Sequence, residues 1–397
     1  MIQGLLKQEF AITFCSPMWW QQMPAWLKLL PTSIRSKIAN EIRKKSFSFV
    51  GKIEIITNPV SVVVKEISER LPFGNNREKA LLGFEEKHDA FVSNILHRNR
   101  PSFVIGYEIS SVETFKEAKR QGITTILDLA QVHYEAIDDI AGQFDAMHYI
   151  LENPQLPFIQ ARKQAEYDCA DYIITLSSFA RQTMIDKGIP ADKLYEVHLG
   201  FDVQLFEPKK KYSTAGPLRL LICGTDMTRK GLGLLLQVVG QMEAQGYELD
   251  LTVIGPLAET EAIVKQKSKI KRLKCLAFMP HEDLVKQYQA ADVFVFPSYL
   301  DSWAMTVLEA MACGTPVIVT ENTGSKDAVR KGGGIVIDTG DADALQTVIE
   351  YWYKDRIQLE IQGKKAREVA MEYTWENYYG EVGVVIKDIC KRSGHIQ

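Results

Sequence analysis

The stretch FPSYLDSWAMTVLEAMACGTPVIV, residues 296–319, contains the pattern that decides the fold. An apolar strand comes first, a polar loop runs to Asp301, and a helix follows that we expect Ser302 to cap. Gly314 ends that helix, and a second apolar strand begins directly after it. Because both strands are apolar throughout rather than alternating, the pattern predicts parallel strands that are covered on both faces.

The same alternation of strand and helix extends over most of the chain. In Lys230–Gln245, apolar residues recur at helical spacing, as in a helix with one buried face. The polar and basic segment 205–217 divides the chain into two halves, so the sequence predicts an α/β protein of two Rossmann-like, doubly wound domains with a cleft between them. The predicted strands are 10–15, 52–57, 102–107, 124–129, 172–176, 218–223, 249–254, 273–278, 293–296, 316–319 and 334–337.

Composition narrows the class of protein. With 46% apolar and 24% charged residues among 397, the chain is typical of a globular protein. A net charge of −3 argues against a nucleic-acid partner. The six cysteines have no metal-site or disulfide spacing, and no apolar run approaches the ~18 residues of a membrane span. We therefore expect a soluble cytoplasmic protein.

Glu309 is the unusual residue of the quoted stretch. It stands in the middle of an otherwise apolar helix, where an unpaired carboxylate would be costly. A ligand diol would satisfy it, and so would an ion pair with a neighbouring helix. The amides of residues 302–305, at the start of the same helix, are expected to form an anion site suited to a phosphate.

These motifs resemble the signature of the family-4 retaining glycosyltransferases, which have the GT-B fold. Asp301 and Glu309 are separated by seven residues, as the two acids of that signature are, and AMACGTPV at 310–317 matches the tail that follows them. The stretch 221–224 followed by Arg229-Lys230-Gly231 resembles the family's donor-phosphate loop. Several ordered motifs at these separations make a more specific signal than any one of them.

The resemblance implies a donor site. Glu309 would hold the ribose diol of the nucleotide, Lys230 and Arg229 would neutralise the diphosphate, and Gly224 belongs to the phosphate loop. The remaining implied donor-site residues are Asp301, Ser302, Trp303, Ala304 and Met305.

Three departures from the family pattern affect this site. Asp301 replaces the usual Glu, Ser302-Trp303-Ala304 replaces the usual Gly-Phe-Gly, and Thr225 stands where many members have an Arg. For Lys230, the alternative is a solvated lysine that opens a helix, although a cation is unfavourable at that end of the helix dipole.

The implied catalytic residues are His133, Asp301 and Lys230, with no metal or cofactor. The resemblance implies that the leaving phosphate itself takes the proton of the acceptor. His133 follows the strand at 124–129, and it either contacts the donor sugar or is an ordinary loop histidine. The motif Asp341-Ala342-Asp343 could be read as a metal site, but we interpret Asp341 as a helix cap.

The resemblance also implies which part of the chain binds the acceptor and which part binds the donor. Residues 1–205 would form the acceptor-binding domain, 206–375 the donor-binding domain, and 376–397 a helix that crosses back to the first domain. Within 19–52, Trp and Leu alternate with basic residues, as in segments that bind an anionic membrane surface. The alternative is a solvated helix beside an ordinary core.

The expected function is a retaining transfer of sugar from a UDP- or GDP-linked donor to a hydroxyl of a glycan or lipid-linked acceptor, in the cytoplasm or peripherally at the inner membrane face. The alternative is a catalytically inactive nucleotide-sugar-binding module that acts as a scaffold. A dinucleotide-dependent oxidoreductase is disfavoured because no GxGxxG motif follows a first strand.

Overall fold

The computed structural model describes residues 1–16, 32, 36, 53–58, 76–267 and 270–395. Apart from Thr32 and Ser36, the segment 19–52 predicted to contact a membrane surface lies outside these residues. None of the helices in the described ranges is long and apolar enough to cross a membrane.

The described strands and α-helices alternate along most of the chain, as the sequence predicts. The strands are β1 (Thr13–Ser16), β2 (Glu54–Thr57), β3 (Phe103–Tyr107), β4 (Thr124–Asp128), β5 (Tyr172–Thr175), β6 (Leu194–Glu196), β7 (Leu218–Cys223), β8 (Leu249–Ile254), β9 (Leu273–Leu276), β10 (Val293–Phe296), β11 (Val317–Thr320) and β12 (Gly334–Ile337). The helices are α1 (Ile2–Lys7), α2 (Asn76–Leu96), α3 (Val112–Arg120), α4 (Tyr134–Gln143), α5 (Leu156–Cys169), α6 (Ser178–Asp186), α7 (Leu232–Ala244), α8 (Leu257–Lys267), α9 (His281–Ala290), α10 (Met305–Ala312), α11 (Lys326–Val329), α12 (Ala342–Lys354), α13 (Arg356–Ala370) and α14 (Trp375–Arg392).

The C-terminal half contains a six-stranded parallel sheet in the order β12-β11-β10-β7-β8-β9. The chain builds outward from β7 in one direction and then, from β10, in the other. The strand order therefore reverses between β7 and β10, and a crevice opens there at the carboxyl ends of the strands. This is the doubly wound arrangement that the sequence predicts.

The N-terminal half contains a four-stranded parallel sheet, β3-β4-β5-β6, and a separate parallel pair, β1-β2. All eleven predicted strands are present, with ends that differ by a few residues. The strand β6 was not predicted because it is only three residues long, with one residue fully buried, so its sequence carries almost no periodic signal.

Burial explains why these apolar runs form strands and helices. Every residue of β10 and β11 is buried, since helices cover both faces of the sheet. On α7, the stripe of Leu232, Leu235 and Val239 is fully removed from solvent. Each such side chain contributes about 1.5–3 kcal/mol on burial, so these contacts hold the sheet and its helices together.

The two halves are also joined by the segment that follows α13. Phe201, after the N-terminal sheet, forms an isolated β-bridge with Thr374, just before α14. The helix α14 then packs through Val382 and Ile386 against the core that contains Ile126 and Ile174 of β4 and β5. The last described helix thus lies against the N-terminal sheet.

Candidate functional site

Two loops face each other across the crevice where the strand order reverses. One runs from Gly224 to Gly231 after β7, and the other from Pro297 to Ala304 after β10. Gly231 has φ +79°, and a Cβ there would come within 2.0 Å of the Pro297 carbonyl oxygen, so only glycine permits this approach. The Arg229 carbonyl accepts a hydrogen bond from the amide of Tyr299 at 2.9 Å, which fixes the two loops to each other.

Lys230 and Asp301 meet in this crevice. Their ammonium and carboxylate groups form an ion pair, and Lys230 is only 6% exposed. Burial lowers the pKa of Lys230, and the charge of Asp301 opposes that effect. Burial acts to raise the pKa of Asp301, but the charges of Lys230 and Arg229 outweigh it and hold the pKa below its usual value. Lys230 is therefore not a solvated lysine: its stem lies 3.4 Å from the Cβ position of Gly224, and its charge is buried.

The helix that follows begins later than predicted. Ser302 is not the N-cap: Ala304 occupies that position with φ +62°, and α10 starts at Met305. Asp301 Oδ1 accepts the amides of Trp303 at 3.1 Å and of Ala304 at 2.8 Å. Two of the four amides expected to bind an anion are thus already used, because the carboxylate just upstream competes for them.

Glu309 lies on α10 and is 7% exposed. Its Oε2 accepts a hydrogen bond from the Tyr288 hydroxyl at 2.9 Å, and its Oε1 lies 3.9 Å from Nε2 of the exposed His281. Burial raises the pKa of Glu309, although the Tyr288 hydroxyl moderates the effect. A partner from the neighbouring helix α9 therefore satisfies one oxygen, and the other retains capacity to accept hydrogen bonds from a ligand.

Arg229 is held in place by its own loop. Its Nε donates to Asp226 Oδ2 at 3.0 Å, and its Nη1 donates to the Leu300 carbonyl at 2.6 Å. The guanidinium has five N–H donors, so these two bonds fix its plane and leave further donors for an anion.

Ser302 and Trp303 contact the N-terminal half rather than standing free in the crevice. The Ser302 hydroxyl donates to the Ala130 carbonyl at 2.7 Å. The Trp303 indole is 2% exposed and donates to the Leu199 carbonyl at 3.1 Å. Met305 is half-buried and packs against the core. The indole of Trp303 therefore joins the two halves, and this contact accounts for a tryptophan at this position.

His133 lies in the N-terminal half, after β4, and is 2% exposed. Its Nδ1 accepts the amide of Glu135 at 3.2 Å, which makes it the N-cap of α4, and its ring stacks on Tyr134 at 4.8 Å. Burial lowers the pKa of His133 to about 4, so the ring is neutral near pH 7. With Nδ1 accepting, Nε2 carries the hydrogen and can donate.

A charged cluster that the sequence analysis missed lies between the two halves. Nε2 of His198 is 3.0 Å from Glu196 Oε1 and 3.7 Å from Asp327 Oδ2. Burial lowers the pKa of His198, but the two carboxylates outweigh it and raise the pKa to about 9. The three ligand-type atoms lie within 4.8 Å of one another. Because Asp327 is 129 positions from His198, no local spacing in the sequence could reveal the cluster.

Asp341, the residue of the possible metal motif, caps a helix. Its Oδ1 accepts the amide of Ala344 at 2.8 Å at the start of α12. The helix-cap interpretation of Asp341 is therefore correct.

Comparisons with known proteins show which family model, relatives and folds the chain resembles. The family model described as "Glycosyl transferases group 1" matches residues 204–369. The O-antigen chain mannosyltransferase B of Escherichia coli is 28% identical over 224 residues, which cover 53% of this chain and 58% of that protein. The chain therefore spans only about half the length of the curated relatives it matches.

Solved structures resemble the chain over more of its length. The structure of sucrose-phosphate synthase from Thermosynechococcus elongatus superposes on this chain with a TM-score of 0.63 at 20% sequence identity, and the match covers 80% of each of the two chains. HepE from Anabaena, in complex with UDP and glucose, has a TM-score of 0.61 at 15% identity and covers 95% of this chain and 99% of its own. These likenesses establish the fold.

The fold follows from these findings. Two halves, each built on a parallel α/β sheet, and the likeness to these solved structures define a GT-B fold. Within it, residues 204–369 resemble the group 1 glycosyltransferases.

Proposed function

We propose that this protein transfers a sugar from a UDP- or GDP-linked donor to a hydroxyl of a glycan or lipid-linked acceptor, with retention at the anomeric carbon. The observation that carries the proposal is the position of Lys230 and Asp301 across the crevice between β7 and β10, with Glu309 on the helix that follows. Open parallel sheets bind their ligands at this point. The relative HepE is solved with UDP and glucose, which supports a nucleotide-sugar donor.

The charges of the site suit a diphosphate. Lys230 has a buried ammonium group, and Arg229 is oriented by Asp226. Cations held in a crevice of low dielectric stabilise the charge that develops on a leaving diphosphate, and they do so without reorganising. Asp301 serves as the counter-ion of Lys230 until the diphosphate arrives.

Glu309 would bind the ribose and His133 the donor sugar. The Oε1 of Glu309, which lies 3.9 Å from Nε2 of the exposed His281, can accept from a ribose hydroxyl while Tyr288 holds Oε2. The neutral ring of His133 can donate through Nε2 to a sugar hydroxyl. In this mechanism the leaving phosphate accepts the proton of the acceptor hydroxyl, so His133 does not titrate.

A second candidate function follows from the engagement of Asp301. Its carboxylate is committed to Lys230 and to the amides of Trp303 and Ala304. A protein in which this arrangement persisted would bind nucleotide sugars as a scaffold without transferring them.

Thermal unfolding with UDP, GDP and ADP tests the donor site. A nucleotide present at 100 times its Kd stabilises the folded protein by about 2.7 kcal/mol. We expect one nucleotide to raise the melting temperature of the wild type and to have much less effect on Glu309→Ala. The control is Glu381→Ala, an exposed carboxylate on α14, which should respond as the wild type does. Failure of all three nucleotides would overturn the proposal, and binding without donor hydrolysis or transfer would favour the scaffold.

A further inference from the structure

A short segment of the N-terminal half contacts the two loops that follow β7 and β10 in the C-terminal half. The 3-10 helix Asp145–Ile150 follows Phe144, whose ring lies 5.1 Å from that of Tyr299 in the loop after β10. From this segment, the Tyr149 hydroxyl donates to Asp226 Oδ2 at 2.7 Å. Asp226 belongs to the loop after β7, so the hydrogen bond joins the two halves of the protein.

Asp226 is also the residue that orients Arg229. It has φ +53°, a backbone conformation that is uncommon for a residue other than glycine. Its Oδ1 accepts the amide of Arg229 at 3.2 Å, and its Oδ2 accepts Nε of Arg229 at 3.0 Å. The hydroxyl of Tyr149 and the guanidinium of Arg229 therefore share one carboxylate oxygen.

The shared oxygen of Asp226 affects the protonation of Tyr149 and the orientation of Arg229. Burial and the charge of Asp226 raise the pKa of Tyr149, so its hydroxyl remains a neutral donor. A carboxylate that accepts from both sides is fixed in its rotamer, and it fixes Arg229 in turn. The Tyr149 bond exists only when the two halves are together, so Arg229 has this full set of restraints only in that arrangement.

We propose that Tyr149 is a positioning residue that, through Asp226, aims the guanidinium of Arg229 at the diphosphate of the donor when the two halves come together. The inference rests on the proposed function of the crevice. Tyr149 acts on the donor through Asp226 and Arg229 rather than as a catalytic residue. It makes the phosphate-binding strength of the C-terminal half depend on contact with the N-terminal half.

The test is the affinity for UDP or GDP, whichever binds the wild type, measured by isothermal titration calorimetry. Tyr149→Phe removes the hydroxyl and keeps the ring, and we expect the Kd to rise by about 3- to 10-fold, the loss of one hydrogen bond. Tyr351→Phe is the matched control: Tyr351 is an exposed tyrosine on α12, and its hydroxyl has no hydrogen-bond partner among the described residues. We expect its Kd to equal that of the wild type.

A double-mutant cycle separates positioning from general contact between the halves. Arg229→Lys keeps the charge and lacks the Nε–H that bonds Asp226. In that background, we expect Tyr149→Phe to have no further effect on Kd, because the group it positions is gone. An undiminished effect in the Arg229→Lys background would overturn the inference.

The remaining outcomes are also decisive. A wild-type Kd for Tyr149→Phe would overturn the inference and leave the proposed function standing. A wild type that binds neither nucleotide would overturn the proposed function itself, and this result would be seen before any variant is compared.

Discussion

The ammonium group of Lys230 and the carboxylate of Asp301 form a buried ion pair across the crevice between β7 and β10. The two residues come from different loops. Burial disfavours the charged form of both groups, and the opposite charge of the partner is the main effect that favours it. An anionic ligand that binds Lys230 therefore shares the three N–H donors of its ammonium group with Asp301. The pair keeps a strong cation ready at the site without leaving it unpaired in the unliganded protein.

Lys230→Met should destabilise the protein strongly. It leaves the carboxylate of Asp301 buried without its cation, which typically costs about 3 kcal/mol or more. Urea unfolding followed by circular dichroism measures this loss. The double variant Lys230→Met with Asp301→Asn should regain most of it, because Asn keeps an oxygen for the amides of Trp303 and Ala304. A double variant as unstable as the single one would contradict the ion-pair account.

Glu309→Gln should weaken nucleotide binding without lowering the stability of the unliganded protein. Burial raises the pKa of Glu309, so a neutral amide in its place should make the unliganded protein at least as stable at pH 7. Charge-assisted hydrogen bonds to the ribose would be lost, and the Kd for the nucleoside diphosphate should rise about 10-fold or more. Calorimetric titration and thermal unfolding measure the two effects. Unchanged affinity would remove Glu309 from the donor site.

His198 should make stability depend on pH. Its pKa is about 9 in the folded protein, above the ordinary value of 6.5. Because the folded protein holds the proton of His198 more tightly than the unfolded chain does, protonated His198 contributes its full stabilisation below pH 6.5. This contribution is lost as the pH rises through 9 and the imidazole gives up its proton. Over this window we expect the wild type to lose about 1–3 kcal/mol more than His198→Gln, with both measured by unfolding at several pH values. Parallel curves for the two proteins would contradict the charged contact with Glu196 and Asp327.

His133 should have two separable roles. His133→Ala removes the cap of α4 and should cost about 1 kcal/mol of stability. His133→Asn restores a capping side chain and should recover that stability. Its shorter side chain does not carry an N–H group to the position of the imidazole Nε2, so donor turnover should fall about 10-fold in both variants. Because the pKa of His133 is about 4, turnover between pH 6 and 8 should not report its titration. Full activity in His133→Asn would leave only the capping role.

The sequence by itself determined the architecture and indicated the residues of the proposed donor site. Fully apolar strands such as β10 and β11 have only one stable placement, inside a sheet covered on both faces, and all eleven predicted strands are present. The spacing of Asp301 and Glu309 and the position of Lys230 just before α7 were visible because each depends on neighbours a few residues away. Such local patterns are set by the geometry of a single loop and helix.

Tertiary structure alone decided which groups those residues meet. Asp301 accepts the amides of Trp303 and Ala304, two of the four that were expected to bind an anion, because Lys230 from another loop holds its carboxylate at the helix end. The indole of Trp303 donates a hydrogen bond to Leu199 in the other half of the protein. The hydroxyl of Tyr149 donates to Asp226, which lies 77 positions further along the chain. These partners are close only after the two sheets have packed. Their electrostatics and hydrogen bonds depend on distances across the crevice, and a linear pattern does not contain those distances.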